Sequence, residues 1–522
     1  MRAVFTVGAL TAFSRVLGLA REMLQSRLIG AGVEQSAFVL AFAIPNMARK
    51  LFGEGALTAA FVPVFKGEVE RGELESARRL ARAVMTMVML ILGSTVVLVV
   101  IGLSVCLGFD FGFSERTCLT LRLVRILFPY MIFICGAAFG MGILNALGRF
   151  AEGAFMPAML NVVWIAALGV LCFFPGLSLE SRVTFVCWAI LLGGLAQMVF
   201  LFRCMAKKGF APRLSFGGFR DSKVRLVWKN TAIAAVGAGA IQINYMLDQV
   251  LAQYAAPWAA GVIGYAERLM DLPLGVIGVA FGTVLLPTFA GLFAKDDLDG
   301  ARSALVSSLR DLMLVMLPAA AGLLVLAPEV TRVIYEGHAF NPEATTRVSR
   351  ALAVYALGLG FFGFQKSLVP WFQAQNDMKT PLRVSVYTVV VNAALNILAV
   401  VSLPVEWRHV GLAVSTVLCA GLGVIFLLVL AKRKNGDLGL GAVFSELVRI
   451  VLGAVLMGTA LALLKPYLAN LNAVLALALE VVFGAVVYAA VVRTLGVRLV
   501  RRLPARRRNP VNKVKSEEKG KN

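Results

Sequence analysis

"FVPVFKGEVERGELESARR" (residues 61–79) and "LLPTFAGLFAKDDLDGARS" (285–303) are one pattern written twice, 224 residues apart. Pro63 falls on Pro287, Phe65 on Phe289 and Gly67 on Gly291. Leu74, Ala77 and Arg78 fall on Leu298, Ala301 and Arg302, and the acids Glu73 and Glu75 on Asp297 and Asp299. A shift of 228 then lays "LNALGR" (144–149) on "FQAQND" (372–377). Apolar segments resemble one another by chance, whereas a charged loop rarely does. The chain therefore reads as an internal duplication.

The duplicated unit is a membrane one. Of 522 residues, 59% are hydrophobic and the mean hydropathy is +0.82, well beyond the roughly 45–50% apolar content of soluble domains. About fourteen runs, from 4–29 to 471–494, approach the ~20 apolar residues that a spanning helix needs. The first lacks a cleavage signature and is expected to stay as a helix. Each copy of the repeat takes about six runs, and two remain beyond the second. An even number per copy gives the halves one shared orientation, an arrangement in which transporters bind substrate between the halves. The expectation is an all-α polytopic membrane protein of about 14 transmembrane helices: two six-helix pseudo-repeated lobes (1–220 and 221–435), two additional C-terminal helices (436–498) and a basic tail (499–522).

The net charge of +22 does not point to nucleic acid, because no binding motif accompanies it. Basic residues gather in "KGEVERGELESARRLAR" (66–82), "RCMAKKGFAPRLSFGGFRDSKVR" (203–225), "AKRKNGD" (431–437) and the tail, while "AGVEQSA", "GFDFGFSE" and "AAPW" have none. That alternation predicts both termini in the cytoplasm, with the tail against anionic lipid. Seven cysteines show no CxxC spacing, and the two histidines lack metal-ligand neighbours, which argues against a zinc site or a Ser-His triad. Cys106 and Cys118 flank one short loop and are the pair to check for a disulfide.

Charges inside the spans need a reason, since each costs at least ~2.5 kcal/mol at the bilayer centre. Ser14, Arg15, Gly18, Arg21, Glu22 and Gln25 fall on one helical stripe. Asn46, Arg49, Lys50, Gly53 and Glu54 form another, and Glu267, Arg268 and Asp271 a third. Arg27 and Lys50, near helix ends, are expected to snorkel to an interface. Arg15 is about eleven residues into its helix, or ~16 Å, too deep for that. Guanidinium forks clustered in a wet cavity suit a phosphate or carboxylate, a diphosphate above all. The acids would hold the arginines when substrate is absent. In the second half, Asn244 and Asp248 share a face, Thr388, Asn392 and Asn396 form a stripe, and Thr416 lies in the following span. One carboxylate with neutral oxygens suits a small hard cation or a proton; hydrogen bonding between packed helices suits it equally.

At these residues the chain resembles the MurJ (MviN) lipid II flippases of the MOP exporter superfamily. The resemblance rests on "FSRVLGLAREMLQSRLIGAGVEQSAFVLAFAIPNMARKLFGEGALTAAFVPVF" (13–65), "YAERLMDLPLGVIGVAFGTVLLPTF" (265–289) and "NDMKTPLRVSVYTVVVNAALNI" (376–397), and it extends over essentially the whole chain. It implies fourteen helices in two lobes and alternating access. The implied cargo is the undecaprenyl-diphosphate-linked peptidoglycan precursor, lipid II, moved to the outer leaflet of a bacterial inner membrane beside the cell-wall synthesis machinery. The implied substrate-binding residues are Arg15, Arg21, Arg49 and Arg268, with Ser14, Asn46 and Glu54; the implied ion-binding residues are Asp248, Asn392, Asn396 and Thr416, with sodium or proton coupling and no other cofactor. The chain departs from the family pattern at Ser36, where an acid is usual, and at Asn396, which replaces an acid. Competing readings are a related exporter of another polyprenyl-diphosphate-linked glycan or of small molecules, a membrane-embedded transferase, and a scaffold. A basic cavity disfavours an exporter of cationic drugs, and the transferase would need a metal-binding carboxylate pair or a catalytic histidine.

Overall fold

A computed structural model describes residues 2–53, 55–109, 111–216, 218 and 221–497. Glu54 and the tail over 499–522 lie outside the described residues. Every regular element among the described residues is helical: α1 (Arg2–Ile29), α2 (Val33–Ala48), a π-helical turn (Arg49–Gly53), α3 (Ala56–Glu70), α4 (Leu74–Gly108), α5 (Glu115–Leu127), α6 (Tyr130–Ala146), α7 (Ala151–Leu171), α8 (Leu179–Ala206), α9 (Ser222–Ala255), α10 (Ala259–Phe293), α11 (Leu298–Tyr335), α12 (Pro342–Gln373), α13 (Lys379–Ser402), α14 (Val405–Asn435), α15 (Gly441–Leu468) and α16 (Ala473–Thr494). With α2–α3 and α5–α6 each taken as one interrupted rod, these make fourteen helical segments, and the chain is a multi-pass membrane protein. Ten segments are long and apolar enough to cross a bilayer by their described residues. The other four, α1, α2–α3, α9 and α10, carry the charges singled out above.

Helices suit this chain because hydrocarbon offers backbone groups no partner outside the segment itself. Their starts are fixed locally. Ser114 Oγ accepts from Thr117 N, Ser178 Oγ from Ser181 N, Asp297 from Gly300 N and Asn341 from Ala344 N, each satisfying an orphan amide of a first turn.

The duplicated loops are duplicated in structure. Gly72 and Asp296, equivalent under the 224-residue shift, both adopt left-handed backbone, with φ of 78° and 54°. The next amide returns to the same place in each copy: Glu73 N donates to Glu68 O and Asp297 N to Leu292 O, both at 3.0 Å. The second pair behaves alike, with Gly148 and Asn376 left-handed and Arg149 N and Asp377 N donating to Leu144 O and Phe372 O. Side chains follow suit. Arg78 donates to the Gly209 carbonyl beyond α8, and Arg302 to the Asn435 carbonyl at the end of α14.

Packing repeats too. α1 packs on α7 as α9 does on α13, and α6 on α8 as α12 does on α14. Between lobes the symmetry fails. α3 packs along α9, but its mirrored partners, α10 and α1, are parted by a cavity. The added pair α15–α16 docks on α11 through fully buried Arg310, 2.8 Å from both Glu446 and Asp311, and through Lys465, 2.8 Å from Glu329. Cys106 and Cys118 are free thiols.

A candidate anion site between the lobes

The basic loops lie at one end of the bundle, and a cavity of about 500 Å³ opens between the lobes, walled by α1, α2, α6, α7, α9 and α10. Arg21 projects into it and is held from three sides. Asn161 Oδ1 accepts from Nη1 at 3.0 Å, Glu22 pairs with Nη2, and the guanidinium carbon stands 4.3 Å from the Trp164 ring centre. Glu22 also lies 3.6 Å from Arg268 Nε, so one carboxylate from the first lobe bridges cations of both. This is the arrangement expected of acids that hold the arginines apart from substrate.

The break in the second segment presents the next cations. Pro45 lacks an amide to donate, and after it the chain widens into the π-helical turn over Arg49–Gly53, a distortion common at functional sites. Gly55 closes that turn so tightly that a Cβ there would stand 2.4 Å from Lys50 O. Arg49 Nε donates to Asn46 Oδ1 at 3.0 Å. Lys50, expected at an interface, instead lines the cavity with its ammonium over the Tyr245 ring, on the stripe it shares with Asn46 and Arg49. Glu267 and Asp271 complete the wall.

An adjoining cavity of about 720 Å³ separates α1 from α10. Arg15, Arg21, Arg268 and Lys366 share it with the apolar side chains Leu19 and Leu272. Arg15 Nη2 reaches Gly275 O at 3.1 Å. Ser14 contributes through its backbone, accepting from Asn161 Nδ2 at 3.0 Å. Across the two cavities six cations face three carboxylates among the described lining residues, a surplus that favours an anionic ligand.

The end opposite the basic loops is sealed. Ser36 Oγ accepts from Gly261 N at 2.9 Å, and its carbonyl accepts from Gln253 Nε2 at 2.7 Å. Gly261 is in the first turn of α10, so a neutral hydroxyl of one lobe satisfies an orphan helix amide of the other. Gln25 and Gln35 join at 3.0 Å beneath, and Ala339 N donates to Arg27 O. Gly30 is required here: its φ is 81°, and a Cβ would stand 2.3 Å from Ala339 O.

In the second lobe Asp248 accepts from Asn396 Nδ2 at 2.7 Å and from Asn244 Nδ2 at 3.4 Å, while Asn396 also donates to Asn392 Oδ1. Three of the four expected ion-site residues thus meet. Thr416 donates to the Leu412 carbonyl of its own helix, as Thr388 does to Ser385.

The family model "Lipid II flippase MurJ" matches residues 25–483. The chain belongs to the MurJ lipid II flippase family. A "Probable lipid II flippase MurJ" of Rhizobium tropici is 34% identical over 435 residues, covering 82% of this chain and 80% of that one. The "Lipid II flippase MurJ" of Burkholderia cenocepacia is 31% identical over 83% of this chain and 84% of its own. A solved MurJ structure described as inward closed superposes with a TM-score of 0.77 over 95% of this chain and 99% of that one, at 23% identity. An inward-facing MATE transporter of the MOP superfamily gives 0.66 over 83% of this chain and 99% of that one, at 14%. MurJ is thus a family of transporters with the fold described above. Against the residues expected from the MurJ resemblance, Arg15, Arg21, Arg49, Arg268 and Asn46 are gathered at the two cavities. Ser14 is one step removed from them. Asn161, Trp164 and Lys366 were missed. The one available signal was a polar residue stranded in an otherwise apolar run, as in "MLNVVW" (159–164).

Proposed function

We propose that this chain carries lipid II from the cytoplasmic to the outer leaflet of the bacterial inner membrane by alternating access. The observation that carries the reading is Glu22 lying between Arg21 and Arg268 in a cation-rich cavity closed at one end. A diphosphate displaces the carboxylate, takes both guanidinium groups and draws the lobes together on the side that is now open. The basic end faces the cytoplasm, with both termini there and the tail on anionic lipid, so the headgroup enters from the side where the precursor is made and leaves toward the cell-wall synthesis machinery. The parted α1 and α10 leave the polyprenyl tail a path in the bilayer. Only transfer is needed, so no residue is assigned a covalent step.

The donor set around Asp248 fits a sodium ion or a proton. Buried Asn244 Oδ1 and Asn396 Oδ1 have no hydrogen-bond partner among the described residues, and Asp248 supplies one negative charge, so these residues would hold it. Its charge would supply coupling to a gradient that resets the empty carrier.

The test is translocation of lipid II in reconstituted vesicles by the wild type and by Arg15→Ala, Arg21→Ala, Arg49→Ala and Arg268→Ala. A hydrogen bond to a charged group is worth about 1.5–3 kcal/mol, so Arg21→Ala and Arg268→Ala should each slow translocation at least about tenfold. Wild-type rates in all four variants would remove the mechanism.

A further inference from the structure

The cations of the two cavities are not equivalent. Arg21, Arg49 and Arg268 each have a side-chain partner, and Arg15 has a carbonyl. Lys366, from α12 of the second lobe, has neither a hydrogen bond nor an ion pair among the described residues, although it lines the same cavity as Asp271. It lies seven residues before the end of α12, or ~10 Å along the axis, where its exposed side chain lines the cavity that parts α1 from α10. Its surroundings are mixed. Arg15, Arg21 and Arg268 line the same cavity together with Val16, Leu19, Leu269, Leu272 and Leu274 of α1 and α10. A cation at the boundary between a charged chamber and an apolar slot matches a ligand that is itself a junction, where a phosphate joins an isoprenoid chain.

Resting on the diphosphate reading of the main cavity, we propose that Lys366 is a specificity-determining residue. It binds the lipid-proximal phosphate together with Arg15, while Arg21 and Arg268 take the sugar-proximal one. Both lobes then grip each end of the diphosphate: α1 through Arg15 and Arg21, α12 through Lys366, and α10 through Arg268. A freely rotating ammonium suits this place better than a guanidinium fork, because it can follow a phosphate that arrives from the side.

The experiment compares binding of undecaprenyl diphosphate and of undecaprenyl monophosphate, which has only the lipid-proximal phosphate, to the purified protein in detergent, for wild type, Lys366→Met, Lys366→Arg and Arg21→Ala. Methionine keeps the apolar stem, and a thermal melt checks that each variant is folded; Lys366→Gln replaces any that is not. The proposal expects Lys366→Met to weaken both lipids roughly tenfold and Lys366→Arg to recover most of that, while Arg21→Ala weakens the diphosphate roughly tenfold and the monophosphate less than about twofold. A loss in Lys366→Met confined to the diphosphate, with the monophosphate binding as in the wild type, would overturn the assignment to the lipid-proximal phosphate. Unchanged binding in Lys366→Met with a loss in Arg21→Ala would remove Lys366 and leave the main cavity standing. If Arg21→Ala also binds as wild type, the diphosphate reading itself fails, and the role of Lys366 with it.

Discussion

Arg21 illustrates how a charge can be kept ready within a membrane. Asn161 fixes one edge of the guanidinium, Trp164 supports its face, and Glu22 occupies the edge left for a ligand. Because Asn161 also grips the Ser14 carbonyl, one side chain sets both the direction of Arg21 and the seating of α1 on α7. Asn161→Ala should therefore weaken undecaprenyl diphosphate roughly tenfold, the value of a hydrogen bond to a charged group; calorimetric titration on a folded variant checks it, and unaltered affinity would show that Arg21 orients itself. Outside the spans, Lys434, 2.8 Å from Asp377, and the Thr380 donors hold the Asp377 carboxyl down at about 2. A depressed carboxylate stabilises the fold above its ordinary value of about 3.9 and loses that contribution as pH falls toward the depressed one. Between about pH 5 and about pH 2.5 the melting temperature of the wild type should fall more steeply than that of Asp377→Ala. Parallel curves would mean that the Lys434–Asp377 contact between the α12–α13 loop and α14 contributes nothing.

At the scale of elements, the repeated loop shows that a backbone conformation can persist after its glycine is lost. Gly72 takes φ of 78° without cost, whereas Asp296 holds 54° as an aspartate, one of the few residues that tolerate that region. Asp296→Gly should leave the melting temperature unchanged or raise it slightly, while Asp296→Val should cost about 1–2 kcal/mol; equal melting of the two would mean that the turn relaxes out of the left-handed region. The π-helical turn is the opposite case, a local irregularity on which the site depends. Composition and periodicity foretold the number and order of the helices, and the matched charged loops foretold the duplication, because both patterns are local in the chain. Periodicity put Lys50 on one stripe with Asn46 and Arg49, but it could not foretell that α2 would break at Arg49. A single extra residue in a helical turn leaves no trace in an apolar average.

For the molecule as a whole, the informative feature is the lost symmetry between α3–α9 and α10–α1. Two similar lobes that pack on one side and part on the other define both a cavity and the direction in which it is open. The seal at the opposite end must break once per cycle if access alternates. A Cβ on Gly261 would stand 3.2 Å from Ser36 Oγ, close enough for a disulfide between Ser36→Cys and Gly261→Cys. Oxidation of that pair should stop lipid II translocation in vesicles, and reductant should restore it. Translocation that continues with the bond intact would rule out opening at this end. Because the seal uses a serine hydroxyl, its closure is not tied to the titration of a carboxylate at that position.

Helix count, duplication and the presence of costly cations within the spans can be read from the chain alone, since each follows from residue type and spacing within a few turns. Which cations meet cannot. Arg21 and Asn161 are 140 residues apart and Ser36 and Gly261 are 225, and no local pattern records such pairings. They arise when the lobes pack, because only then does each buried polar group find the partner that offsets its removal from water.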